Sequence, residues 1–193
     1  MAGRPRIFDE EEILNRAIDV FWAKGYDATT TEDLLQCMNL NKGSLYHTFG
    51  SKRDLFIRAL DHFSSHSWRA LDLQIRSAET PIAGIRKFFS ELATTGAQVH
   101  LKGCFMGNTI AELASTDPEL KEKAAASLRA MEDLFYKYLE AARKSKELKT
   151  KEDTRILARY LVTVWNGLNI TRRMYAQKGI LEPLIKMQLE PLY

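Results

Sequence analysis

Cysteine is scarce in this chain, with two residues, Cys37 and Cys104, among 193. A multi-bridge framework is excluded, neither thiol stands in a paired metal-ligand spacing, and a reducing compartment, the cytoplasm, is expected. Proline occurs only at positions 5, 81, 118, 183 and 191, and glycine totals 10. So few breakers exclude a many-turned β architecture and leave long stretches open to helices. No run of about 18 apolar residues exists, and no apolar leader follows Met1, so neither a membrane span nor a secretory signal is expected. Charge of one sign is lacking as well: the net charge is +3, and residues 1–60 hold 8 Lys and Arg against 9 Asp and Glu. Any nucleic-acid binding must therefore come from cations placed on one face. Also missing are G-x-S-x-G, Walker-loop and H-E-x-x-H signatures. No enzyme, cofactor or metal centre is expected.

What is present, 45% hydrophobic and 27% charged residues, fits an ordinary folded chain. Side-chain oxygens that can accept from free helix amides mark the helix starts. Asp9, with Glu12 three residues on, opens a first helix whose apolar positions Ile13, Leu14, Ala17, Ile18 and Phe21 keep helical spacing, and Gly25 ends it. Three caps then follow closely, Thr30 with Asp33, Asn41 with Ser44, and Ser51 with Asp54, which predicts short helices. From Ser51 a long helix is predicted to about Ser77. Thr80-Pro81 and Asp117-Pro118 each pair a cap with a proline at the first helical position, and Gly103 and Gly107 flank a break between them. Residues 118–143 and 152–175 read as two long packing helices.

Three short helices with a turn at Asn39 and a polar third helix make the pattern of a helix-turn-helix reader. In Lys42–Phe49 the pair Leu45 and Phe49, four residues apart, should anchor the third helix in the core. That leaves Lys42, Gly43, Ser44, Tyr46 and His47 for phosphates and base edges.

The run Gly25-Tyr26-Asp27-Ala28-Thr29-Thr30, then Leu34, then Gly43–Leu55 resembles the N-terminal domain of the TetR family of bacterial transcriptional regulators. The resemblance covers about residues 7–56. It implies an all-α protein: a basic arm over 1–8, a helix-turn-helix domain over 9–54, and a C-terminal helical effector-binding and dimerisation domain over 55–193, with a long helix joining the last two. It also implies a homodimer on an operator of double-stranded DNA, probed by the third helix and released by a small-molecule effector that is partly apolar. By the same resemblance Thr29 and Thr30 take phosphate-contacting positions and Lys52 a backbone-contacting one. Asn39 replaces a usual turn glycine, and Leu35 stands where a small alanine is common.

Other features keep two readings. Arg4 and Arg6 either lie in a minor groove or form a basic tail. His62 and His66, one turn apart, could clamp a divalent metal, but no carboxylate or cysteine visibly completes the set, so polar residues are preferred. Cys104, after Lys102-Gly103, is either a reactive thiol, which would make oxidation or alkylation the control, or a small buried residue, which is preferred. Phe63, Trp68, Phe89, His100, Cys104, Phe105, Asn108, Phe135 and Trp165 are candidates for an effector pocket, against ordinary core for most of them. Control by a protein partner is the alternative to an effector. Ala158 and Gly167 are expected to permit close approach of a second subunit.

Overall fold

The computed structural model describes residues 10–192. The Asp9 cap and the Arg4 and Arg6 arm therefore lie outside the described residues. The order is α1 (Glu10–Lys24), α2 (Thr31–Met38), α3 (Lys42–Phe49), α4 (Lys52–Arg76), α5 (Pro81–Glu91), α6 (Ala97–Lys102), α7 (Phe105–Leu113), α8 (Pro118–Lys144), α9 (Thr154–Met174) and α10 (Lys178–Gln188), closed by a 3-10 turn (Glu190–Leu192). Among the described residues there is no strand, and no helix is long and apolar enough to cross a membrane. The chain forms two compact units, Met1–Ser65 and His66–Tyr193, with the division inside α4.

In the first unit the local signals act as read. All five spaced apolar residues of α1 are buried, and Gly25 ends the helix at φ 85°. Thr30 and Asp33 form a reciprocal capping box on α2. Asn41 accepts from the Ser44 amide at 2.8 Å to start α3, and Ser51 accepts from the Asp54 amide at 3.0 Å to start α4. Phe21 packs edge-on against Phe56 with ring centroids 4.8 Å apart, and Leu34, Leu45, Phe49 and Leu55 complete the centre. Leu35 is half-buried at the edge of this core, where its extra bulk is accommodated.

The turn into α3 depends on Asn39, which takes φ 54° and ψ 43°, a left-handed conformation that asparagine tolerates better than most residues. Asn39→Ala is expected to cost about 1 kcal/mol, while Asn39→Gly is expected to be neutral or stabilising. Urea unfolding midpoints of the two variants check this.

In the second unit Thr80 and Asp117 cap α5 and α8, each with proline in the first turn. α8 packs against α5, α7 and α9, and α10 against α5 and α9. Phe89 and Phe135 stack with centroids 5.8 Å apart. The second half of α4 is held to α8 through Asp72, which accepts from Lys137 Nζ at 2.8 Å and from Tyr138 Oη at 2.7 Å. The Lys137 ammonium, then the Tyr138 hydroxyl, hold its carboxyl below the usual range. Arg155 joins α9 to α8 through Asp133 at 2.5 Å and Glu132 at 3.3 Å. Two expectations change. The break before α7 is at Gly103 alone, at φ 67°, and Gly107 lies inside the helix, because the Cys104 sulfur already accepts from the Gly107 amide at 3.3 Å and caps it. α10 was not foreseen, since Pro183 sits within it.

Candidate nucleic-acid interface

α3 is oriented by two apolar anchors. Leu45 and Phe49 are 1% and 2% exposed, which turns Lys42, Gly43, Tyr46 and His47 into solvent, with Ser44 half-buried beside them. The exposed side thus offers an ammonium, a hydroxyl, an imidazole and a glycine where backbone can approach closely, the groups that bind phosphates and read base edges. The Lys42 side chain makes no hydrogen bond or ion pair among the described residues. It is poised for an anion.

Three flanking candidates divide. Thr30 is exposed, and its hydroxyl accepts from the Asp33 amide at 3.1 Å. Thr29 is buried, and its hydroxyl donates to the Gly25 carbonyl at 2.5 Å, so it closes the end of α1 instead of facing a phosphate. Lys52 is half-buried; its ammonium donates to the carbonyls of Tyr26 and Thr29 at 2.8 and 2.9 Å and lies 4.4 Å from the Tyr26 ring centroid. Its first task is to hold the α1–α2 turn beneath the reader. Lys24 bonds Asp33 at 2.6 Å; that bond, then the Thr30 amide, pushes the Asp33 carboxyl down to about 2. The tie holds above the ordinary carboxylate range and is released only as the pH falls through that value.

A carboxylate does reach the histidine that seemed to lack one. A Glu11 oxygen on α1 lies within 4.8 Å of a ring nitrogen of His62, a neighbour that sequence spacing could not reveal.

The effector candidates separate more sharply. Cys104 and Asn108 line a cavity of about 300 Å³ between α7, α8 and α9, and the Trp165 indole donates to Cys104 Sγ at 3.3 Å. Phe89, Phe105 and Phe135 are core, at most 2% exposed. His100 is buried, with Nε2 3.5 Å from the Thr95 hydroxyl. Trp68 donates to Ser127 at 3.0 Å, and Phe63 packs on Trp22 in the first unit. Burial pushes the Cys104 thiol up, so the reactive-thiol reading is not supported: a thiol kept protonated is a poor nucleophile.

Sequence reading missed Asn166, Asn169 and Arg173, which line the same cavity, and Arg172 beside them. Arg172 is buried, donates to the Gly103 carbonyl at 2.8 Å, and is pushed down by burial. A signal existed: Leu161, Val164, Leu168, Asn169 and Arg172 follow one helical stripe, and its last two members are polar where the pattern calls for apolar residues.

Residues 13–59 match the bacterial regulatory proteins of the tetR family, and residues 81–187 match the tetracyclin repressor-like C-terminal domain. The HTH-type transcriptional regulator YezE of Bacillus subtilis is 32% identical over 193 residues, covering 98% of this chain and 99% of its own. The HTH-type transcriptional repressor ComR of Escherichia coli is 26% identical over 176 residues, covering 89% of this chain and 82% of its own. A cysteine mutant of the TetR family transcriptional regulator CifR, solved with a 26-bp double-strand operator DNA, has a TM-score of 0.86 at 26% identity, over 99% of this chain and 100% of that one. With a reader of this geometry, both halves matched and a relative similar from end to end, the chain belongs to the TetR family of bacterial transcriptional regulators.

Proposed function

We propose that the chain is a homodimeric repressor that reads a near-palindromic operator with α3 of each subunit and leaves it when a small, partly apolar effector binds within residues 55–193. The observation that carries the DNA-reading half is the face of α3, where two buried anchors leave Lys42, Gly43, Tyr46 and His47 in solvent. Ser44 is half-buried on the same helix, Thr30 is exposed at the start of α2, and Arg4 and Arg6 precede the domain in the sequence. A relative described as a repressor and a neighbour solved on operator DNA support the same reading.

The dimer reading is supported by one face of α9. Ile156, Ile170 and Met174 are 58%, 56% and 67% exposed, and nothing lies within 4 Å of a Cβ built on Gly167. These positions recur at helical spacing, and an apolar stripe left in water suits a second copy of the same helix. Ala158 is not part of it, because it is fully buried within its own subunit. α4 begins directly after the reader and runs on to Arg76, so it is the covalent route by which an effector changes the reader. The effector must prefer the DNA-incompetent state, since equal affinity for both shifts nothing.

Selection of bound sequences from random duplex DNA tests the reading, with a Lys42→Ala, Tyr46→Ala double mutant beside the wild type. A palindromic motif enriched by the wild type and lost in the mutant is expected. A folded wild-type protein that enriches nothing overturns the proposal.

A further inference from the structure

The cavity between α7, α8 and α9 has an unusual polar inventory. Its walls are largely apolar, with Ile110, Ala111, Leu128 and Ile170 around it, and about 300 Å³ lies at the small end of ligand pockets. Two amide oxygens, Asn166 Oδ1 and Asn169 Oδ1, are buried there without a hydrogen-bond partner. Asn169 is 2% exposed, and its amide nitrogen donates to the Trp165 carbonyl at 2.8 Å. A carbonyl can only accept, so this bond fixes which end of the Asn169 amide is nitrogen and leaves the oxygen as an unfilled acceptor. Asn166 Oδ1 stands 3.4 Å from where a Cβ on Gly107 would sit, so the glycine keeps space open beside it.

Asn108, Cys104 and Arg173 of the lining are already engaged, while beside it the buried Arg172 Nε has no acceptor among the described residues. Asn108 donates to the Lys102 carbonyl at 2.8 Å and accepts from Arg173 at 2.9 Å. Cys104 Sγ accepts from the Gly107 amide and the Trp165 indole, both at 3.3 Å. Within the lining itself what is unmet is therefore acceptor capacity, on two residues three apart and hence neighbours on one face of α9. A buried acceptor without a donor is costly, which favours an occupant that brings donors. A cation meets the guanidinium groups of Arg172 and Arg173, and an anion meets two carbonyl dipoles pointed oxygen-first, so an uncharged occupant suits the site best.

We propose that this cavity binds a compact, uncharged molecule with an apolar body and paired N–H or O–H donors at one end, of the primary carboxamide kind, with the donors on Asn166 Oδ1 and Asn169 Oδ1. The assignment rests on the effector reading above, and its test is made separable from it by measuring binding without DNA. Calorimetry on the full chain uses four probes that share one ring: benzamide, N,N-dimethylbenzamide, benzoate and benzylammonium. Benzamide is expected to bind, with the other three weaker by about tenfold or more, because only benzamide supplies uncharged donors. Asn169→Leu is expected to erase the preference for benzamide over its dimethyl form. Ala111→Trp, which adds bulk from an exposed position and leaves the core intact, is expected to abolish binding of every probe. No benzamide binding at millimolar concentration, equal binding of benzamide and its dimethyl form, or tightest binding of benzoate or benzylammonium overturns the proposal. Benzamide binding that leaves operator affinity unchanged upholds the site and overturns effector control instead.

Discussion

Lys42→Ala is expected to weaken binding to the selected operator about tenfold while the melting temperature stays in place. The reasoning separates two roles within one helix. Leu45 and Phe49 hold α3 in the core, whereas the Lys42 side chain faces solvent and ties down none of the described residues. On the proposed reading, its removal costs a phosphate or base-edge contact and one released counterion. The slope of log affinity against log salt should therefore fall by about one. Tyr46, 42% exposed, gives a complementary test. Tyr46→Phe keeps the ring and removes the hydroxyl, so a loss confined to particular operator positions marks a base-edge contact, and a uniform loss marks a phosphate contact. Fluorescence anisotropy across a salt series with single-base operator variants measures both. A Lys42→Ala variant with unchanged affinity and slope removes the lysine from the interface.

Phe135→Ala is expected to be the most damaging single truncation, with a loss of about 3–5 kcal/mol. Phe135 is fully buried, stacks on Phe89 at 5.8 Å and lies 6.1 Å from Phe88. It sits on α8, the helix against which α5, α7 and α9 pack. Deleting its ring opens a cavity between α8 and α5, and the rigid aromatic neighbours can close it only in part. In a chain of this length about 3 kcal/mol corresponds to a fall of roughly 10 °C in melting temperature. Phe135→Leu, which keeps most of the volume, should recover much of it. Differential scanning calorimetry of both variants, at equal protein concentration, checks the order.

The helix starts at Thr30, Asn41, Thr80 and Asp117 were legible because a cap acts over three residues. Such a bond forms whatever the rest of the chain does. The α3 face was legible for a similar reason, since Leu45 and Phe49 share a side of any helix that contains them. Thr29 and Lys52 show where this ends. Their residue types suit phosphate contact, but the Thr29 hydroxyl is taken by the Gly25 carbonyl. Lys52 spans 26 residues to hold the Tyr26 carbonyl, a choice made by the turn folding back over the start of α4. Among the aromatic pocket candidates, periodicity could not separate ligand wall from core, because both demand apolar residues at helical spacing.

By itself, then, the sequence determined the all-helical architecture, the starts of α2, α3 and α4 and the side of α3 that faces outward, all of which rest on interactions within a few residues. Only the tertiary structure decided which polar groups are spent and which remain open. The Trp165 indole meets a sulfur 61 residues away, and Arg173 meets Asn108 across 65. In the same cavity, Asn166 and Asn169 keep buried Oδ1 acceptors without a partner among the described residues. Whether a buried polar atom is satisfied is settled by neighbours distant along the chain, and no local pattern carries that information.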